Sequence, residues 1–353
     1  MAILTPEKHK NNFDFLRLLF AVFVVITHAY FFSGLGEKDL LNQFTQGQTS
    51  FSYIGVRGFF IISGYLIFQS MQRSSSLESF YWKRFLRLFP GLFIALLLTV
   101  CLAGFIYTGS WQEYLANSEM WSYIPSNLAL YHLQFGISGV LNGDAINGSL
   151  WTIRYEFSFY ILISGFFIFR EKKDLVKKVV LFFFTFFYLG KIFLFRNMGT
   201  AALTFADSLS LNLGLFFMGG AVLAAIKIDK SKYKFLLIAT NIVLLIVSFF
   251  LTSFYFIQFF ALPFLVILIG ISSTKYISSL SDHFGDISYG IYIYSFPVQQ
   301  VLHHFFDLNY LQLMGMSLAA SFLLGYLSWN LIEKQALRFK NHKSKTILAM
   351  ARN

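Results

Sequence analysis

The chain has 353 residues, 56% of them hydrophobic and 13% charged, with a mean hydropathy of +0.62. A soluble domain carries about a quarter charged residues, and 46 phenylalanines are more apolar surface than one water-facing core hides. Composition therefore excludes an ordinary soluble enzyme and makes the bilayer the solvent. The net charge of +11 would suit nucleic acid. However, the basic residues fall in short clusters between apolar runs, which is how topology signals are placed, so no nucleic-acid partner is expected. The single cysteine, Cys101, allows no intrachain disulfide and says nothing about redox compartment.

In chain order, the apolar runs predict an all-α, polytopic integral membrane protein. Ten spans are expected at roughly 13–33, 52–71, 86–106, 150–169, 176–195, 204–226, 234–251, 254–271, 287–306 and 310–332, each long enough to cross about 30 Å of hydrocarbon. The first is too long for a signal-peptide core and lacks a small-residue cleavage site, so it is read as a retained helix. The seventh and eighth are joined by a very short turn at Thr252 and Ser253. Cations gather at Lys8 and Lys10, at Arg73, Lys83, Arg84 and Arg87, at Arg170 to Lys178, at Lys227 to Lys234, and in a tail reaching Lys343, Lys345 and Arg352. The alternate loops are poor in them, and 107–149 has no Lys or Arg. The positive-inside rule then puts both termini in the cytoplasm, with Arg196 a mild violation. The chain reads as a single membrane domain, 1–353, with cytoplasmic tails at 1–12 and 333–353 and its longest extracytoplasmic loop at 107–149. No further soluble domain is expected.

Ionisable residues inside spans are costly and face a protein interior or a wet cavity. In "DFLRLLFAVFVVITHAY", Arg17 and His28 are eleven apart, about three turns with some 20° left over, so they share a face about 16 Å apart along the axis. Asp14 can pair with Arg17, either as a snorkelling boundary pair or as part of a site. His28 falls in the outer half, as an interhelical hydrogen-bonding group or as an imidazole able to change charge near neutral pH. In the second span Arg57 lies in the outer third, and the Ser63-Gly64 pair lets another backbone approach closely. "FYWKRFLRLFPGL" sets Lys83, Arg84 and Arg87 as a basic patch, a topology determinant or a phosphate clamp for a nucleotide-bearing donor.

The fourth span, "SLWTIRYEFSFYIL", has Trp151 as an interfacial anchor and Glu156 at a depth close to that of His28. A carboxylate and an imidazole at one depth suit an acid–base site. Arg154 points elsewhere, and Asp207 is a weaker signal in the sixth span. In the ninth, Ser288, Tyr292, Ser295, Gln299 and His303 follow spacings of four, three, four and four, one helical stripe with Pro297 as a candidate kink. Such a stripe lines a cavity or packs polar against polar. Asp14, Ser63, Trp151, Ser288, Tyr289, Tyr292, Ser295 and Gln299 are the candidate cavity lining. No metal cluster or nucleotide-binding glycine loop is present in the sequence.

Taken in order, "FDFLR", "GVRGFFIISGYLI", "KRFLRLFP", "SLWTIRYEFSFY", "ISYGIYIYSFP" and "NLIEKQAL" resemble the integral-membrane acyltransferase family 3, which O-acylates bacterial cell-surface glycans. The motifs cover nearly the whole chain. The resemblance implies ten core spans in the bacterial cytoplasmic (inner) membrane and no permanently bound cofactor. It also implies transfer of a short acyl group, usually acetyl, from cytoplasmic acyl-CoA to a glycan or lipid-linked saccharide, with membrane lipids as the surroundings. His28 matches the family's essential first-helix histidine and Arg17 its paired arginine. Arg84 and Arg87 match the Arg-x-x-Arg motif linked to the CoA end, and Glu156 matches the carboxylate of a Trp-Ser-Leu-type motif. Thr152 stands near a frequent serine and Gln335 replaces a common proline. Arg57 occupies a variable position and carries no assigned role. The expectation is that Arg17, Arg84 and Arg87 bind the donor, and that His28 with Glu156 carries the acid–base chemistry. A transporter or flippase for a glycan precursor is the alternative, although inverted repeats and paired broken helices are not evident.

Overall fold

Backbone groups in lipid must be satisfied within their own segment. Accordingly, among the described residues the chain is helical and has no strand. The computed structural model describes residues 11–204, 209–279, 282 and 284–341, without the side chains of 194–204, 209 and 341. Asp207, the side chain of Arg196, and the terminal cations Lys8, Lys10, Lys343, Lys345 and Arg352 lie outside the described residues.

Ten longer helices form the body: α1 (Phe13–Tyr30), α2 (Phe51–Arg73), α3 (Leu77–Ile106), α4 (Trp151–Gly165), α5 (Lys173–Thr204), α6 (Leu209–Ala225), α7 (Lys234–Phe250), α8 (Phe254–Gly270), α9 (Ser288–Phe305) and α10 (Tyr310–Ser328). A helix lies on each expected stretch. By length and composition, five segments among the described residues could cross a membrane: Phe13–Leu35, Phe51–Arg73, Leu77–Ile106, Leu141–Phe169 and Tyr310–Arg338. Ser210–Ala225, Lys234–Phe250 and Phe254–Gly270 are shorter apolar helices. Starts are set by caps. Ser50 and Ser76 accept from the amides of Tyr53 and Ser79, and Asn309 forms a capping box with Gln312.

The centre is α2, which packs on α1, α4, α6 and α8. Its contact with α6 leaves no room for a side chain at two positions. A Cβ at Gly64 would sit 1.8 Å from the Phe217 carbonyl oxygen, and one at Gly220 would sit 2.1 Å from that of Ile61. Two glycines on facing helices thus let the backbones touch, as expected for Gly64. On the other side of the bundle, α9 packs on α1, α3 and α10.

Segment 107–149 is not an open loop. Two short helices, Trp111–Ala116 and Ser118–Leu128, fold over the end of α3. There the buried Tyr114 donates its hydroxyl to the Val100 carbonyl at 2.6 Å. Asn147 donates to the Ile293 carbonyl at 3.0 Å and Gln300 to that of Ala145 at 2.7 Å, tying the segment to α9. These side-chain-to-backbone bonds satisfy chain that has no ladder of its own.

Gly64→Ala is expected to force α2 and α6 apart, at roughly 1–3 kcal/mol, and to lower the melting temperature in detergent. Gly315→Ala is the control. Its Cβ meets nothing within 4 Å, so the melting temperature should not fall.

Candidate active site

A cavity of about 410 Å³ opens at the end of the bundle where the basic residues gather and runs inward between α1, α2, α3, α4 and α9. Helical spacing builds its walls. Arg84 and Arg87 are three apart on α3, Ser63 and Ser70 two turns apart on α2, and Thr152, Glu156 and Tyr160 four apart on α4, so each set shares a face. Arg73, Lys83, Arg84 and Lys340 surround the mouth, Arg17, Arg87 and Asp286 lie deeper, and Glu156, Tyr160, Thr152 and Tyr292 form the inner end.

The keystone is Asp286, in the turn ahead of α9. Arg17 Nη1 and Arg87 Nη2 both donate to its Oδ2, the latter at 2.6 Å, and Ser288 Oγ donates to Oδ1 at 2.7 Å. Burial by itself would raise this carboxyl. The two guanidinium groups and the serine outweigh it and hold the pKa below the usual carboxylate range. Arg17 also lies 3.3 Å from Asp14, and Arg87 Nη1 lies 3.8 Å from Glu333 Oε2.

The mouth is different. Arg84 donates to Ser70 Oγ at 3.4 Å, with its Nε buried and unbonded, and Lys83 donates to Ser74 Oγ at 3.3 Å. Among the described residues no carboxylate is in ion-pair range of Arg73, Lys83, Arg84 or Lys340. Burial and the like charges of Arg84, Lys83, Arg73 and Arg87 push the Lys340 ammonium below its ordinary value. The mouth is thus a field of uncompensated positive charge.

At the inner end Tyr160 donates to Glu156 Oε1, and Ser63 Oγ donates to the same oxygen at 3.3 Å. Tyr292 donates to the Ser149 carbonyl at 3.2 Å, and its hydroxyl lies 2.9 Å from Thr152 Oγ1. Among the described residues no three His, Cys, Asp or Glu side chains are placed to hold a metal ion.

A cavity rimmed by guanidinium groups and ending at a hydrogen-bonded carboxylate is a place for an anionic substrate with a reactive far end. Comparison with known proteins gives this a family. The sequence profile of a family described as an acyltransferase domain matches residues 10–332. The chain belongs to acyltransferase family 3. It is 32% identical to the O-acetyl transferase of Shigella phage Sf6 over 338 residues, covering 93% of this chain and 97% of that protein. It is 38% identical to Nodulation protein 10 of Rhizobium leguminosarum bv. viciae over 165 residues, 44% of this chain and 43% of that protein. No solved structure matches.

Within this family-3 acyltransferase, Arg17, Arg84, Arg87 and Glu156 share the cavity, together with Ser63, Ser288, Tyr289 and Tyr292. The other expected residues stand apart from it. Asp14 sits behind Arg17, and Trp151 packs edge-on against Tyr155 with ring centres 5.9 Å apart. The polar stripe of α9 divides. Ser288 and Tyr292 line the cavity, whereas Ser295 donates to the Tyr292 carbonyl, Gln299 donates to the Val25 carbonyl at 2.9 Å and to Ser317 at 3.2 Å, and His303 is exposed. Its upper half therefore clamps α9 to α1 and α10 rather than lining a passage. Arg57 is also off the cavity, over the Tyr53 ring at 3.6 Å with Nε on Asn212 at 3.2 Å.

His28 does not line the cavity. Its ring meets Phe296 edge to face at 5.2 Å, and its Nδ1 is buried without a partner. Phe296 is four residues beyond Tyr292 on α9, one turn or about 6 Å. His28 thus stands against α9 about one turn beyond Tyr292, which lines the cavity together with Phe59, 5.7 Å away between ring centres.

Asp286, Tyr160 and Glu333 were not among the expected site residues. Asp286 precedes the ninth span, where a charge is unremarkable by composition; its one signal was its place directly ahead of the polar stripe.

Asp286→Asn is expected to remove the counter-charge that the two guanidinium groups share, leaving Arg17 with Asp14 alone and Arg87 with the more distant Glu333, and to lower stability by roughly 1.5–3 kcal/mol. A carboxyl held low in the folded state stabilises fully above its unfolded pKa, about 3.9, and loses that contribution as pH falls through the folded value. The melting temperatures of wild type and variant should therefore differ at neutral pH and draw together as pH falls from about 4 toward about 2.

Proposed function

We propose that this protein is an O-acyltransferase of the bacterial cytoplasmic membrane. It moves an acyl group, most simply acetyl, from cytoplasmic acyl-CoA to a hydroxyl of a cell-surface polysaccharide or its lipid-linked precursor. All ten helices cross the bilayer in this arrangement, and the basic end with both termini faces the cytoplasm. The observation that carries the proposal is the cavity, which joins a cationic mouth to Glu156 within a chain of this family. The O-acetyl transferase relative supports acetyl as the group and a hydroxyl as the acceptor. Family membership favours this enzyme over a flippase.

The donor's phosphates meet the uncompensated cations of the mouth, for which charge-assisted contacts of arginine are well suited. The thioester arm extends inward toward Glu156. The acceptor comes from the opposite side, where His28 lies. His28 in its neutral form takes the proton of the acceptor hydroxyl, whose oxygen bonds to the thioester carbonyl carbon. The carbon–sulfur bond breaks and the proton passes on to the departing thiolate. Glu156, two of whose neighbours donate to one oxygen, stabilises the charged imidazole.

O-acyl esters on surface glycans, measured by NMR in the native host, test this. A deletion strain and one complemented with His28→Ala at matched membrane levels should both lack an ester that wild type restores. Loss of a general base lowers turnover by about 10²–10⁴-fold. Full restoration by His28→Ala would make the histidine structural. Unchanged esters with reduced glycan export would favour a transporter.

A further inference from the structure

A second basin lies beside the first and has no part in the chemistry above. It measures about 350 Å³ and forms where α2, α5 and α6 reach the basic end. Its floor is apolar and buried: Phe68 is 4% exposed and Val176 1%. Its lining carries Arg73, Lys173, Lys177, Lys227 and Lys230 against one acid, Asp229. Lys177 also meets Asp174 at 3.1 Å, but that carboxyl is 91% exposed, so the pair is screened and weak. Lys227 takes φ +57°, a left-handed position that favours glycine, yet carries a full ammonium side chain. Like charges gathered around a buried floor repel one another until an anion joins them.

Arg73 lines both basins, so they are neighbours that meet at that side chain. The cations of the first basin are limited. Arg17 and Arg87 are committed to Asp286, which leaves Lys83, Arg84 and Lys340, with Arg73 between the two. Acyl-CoA carries a diphosphate in mid-molecule and a separate 3′-phosphate on its nucleotide. The first group matches the mouth of the first basin, whereas the second requires cations of its own. We propose that the two basins form one donor site, with Lys173, Lys177, Lys227 and Lys230 holding the 3′-phosphate of acyl-CoA and the apolar floor beneath the nucleotide. This rests on acyl-CoA being the donor.

The experiment compares CoA with dephospho-CoA, which lacks only that phosphate. Binding of each is measured to the full chain in nanodiscs of phosphatidylcholine. Wild type should bind CoA roughly tenfold more tightly, the value of one charge-assisted contact. The pairs Lys173→Gln with Lys177→Gln, and Lys227→Gln with Lys230→Gln, should weaken CoA to the level of dephospho-CoA and leave dephospho-CoA unchanged. Arginine at the same positions should keep the preference, which separates loss of charge from loss of fold. Glutamine variants that retain the wild-type preference would overturn the proposal. If wild type binds neither compound, the donor assignment itself fails and the proposal falls with it. If the preference survives but the variants lose stabilisation by added phosphatidylglycerol, the basin is a lipid-headgroup site instead.

Discussion

One carboxylate organises the basic end of this protein. Asp286 accepts from Arg17 of α1 and Arg87 of α3 on a single oxygen and is itself fixed by Ser288 at the start of α9. Three helices distant in sequence are thus joined at one point, and Arg87 extends the network to Glu333 beyond α10. Removing one partner from such a mostly buried cluster leaves a charge that is only partly compensated, so each member depends on the others. The same pairing separates the cations by task. Those bound to Asp286 hold the fold, and those at the mouth remain open to an anion.

The close approach of α2 and α6 has a related consequence. With Gly64 and Gly220 allowing backbone contact, α2 is set deep in the bundle. The neighbouring residue, Ser63, then donates to the same Glu156 oxygen as Tyr160. A packing device and a polar site therefore share adjacent residues. Substitutions at the glycines would change the cavity as well as the bundle, because interiors are close-packed and transmit displacement.

The cavity has Tyr292 in its wall, and His28 stands one turn farther along α9 against Phe296. The unpartnered Nδ1 of His28 is a buried polar atom whose desolvation is not offset by a protein group. Such an atom is tolerated where a substrate completes it.

Much was legible in the amino-acid sequence. Apolar run length and basic clusters marked where helices form and which ends lie together. Heptad-scale spacing put Arg84 with Arg87 on one face, and ordered motifs pointed to the family. All of these follow from quantities that are linear along the chain: rise per residue, period and charge per loop. Expected depth follows from the same quantities, and it is what singled out Glu156 and His28 as ionisable residues within apolar helices. Lateral position was not, because it depends on which helix faces pack, and that is decided between residues hundreds of positions apart. Only the tertiary structure brought Asp286 to Arg17 and Arg87, divided the α9 stripe into a wall and a clamp, and set His28 against Phe296 rather than in the cavity with Glu156.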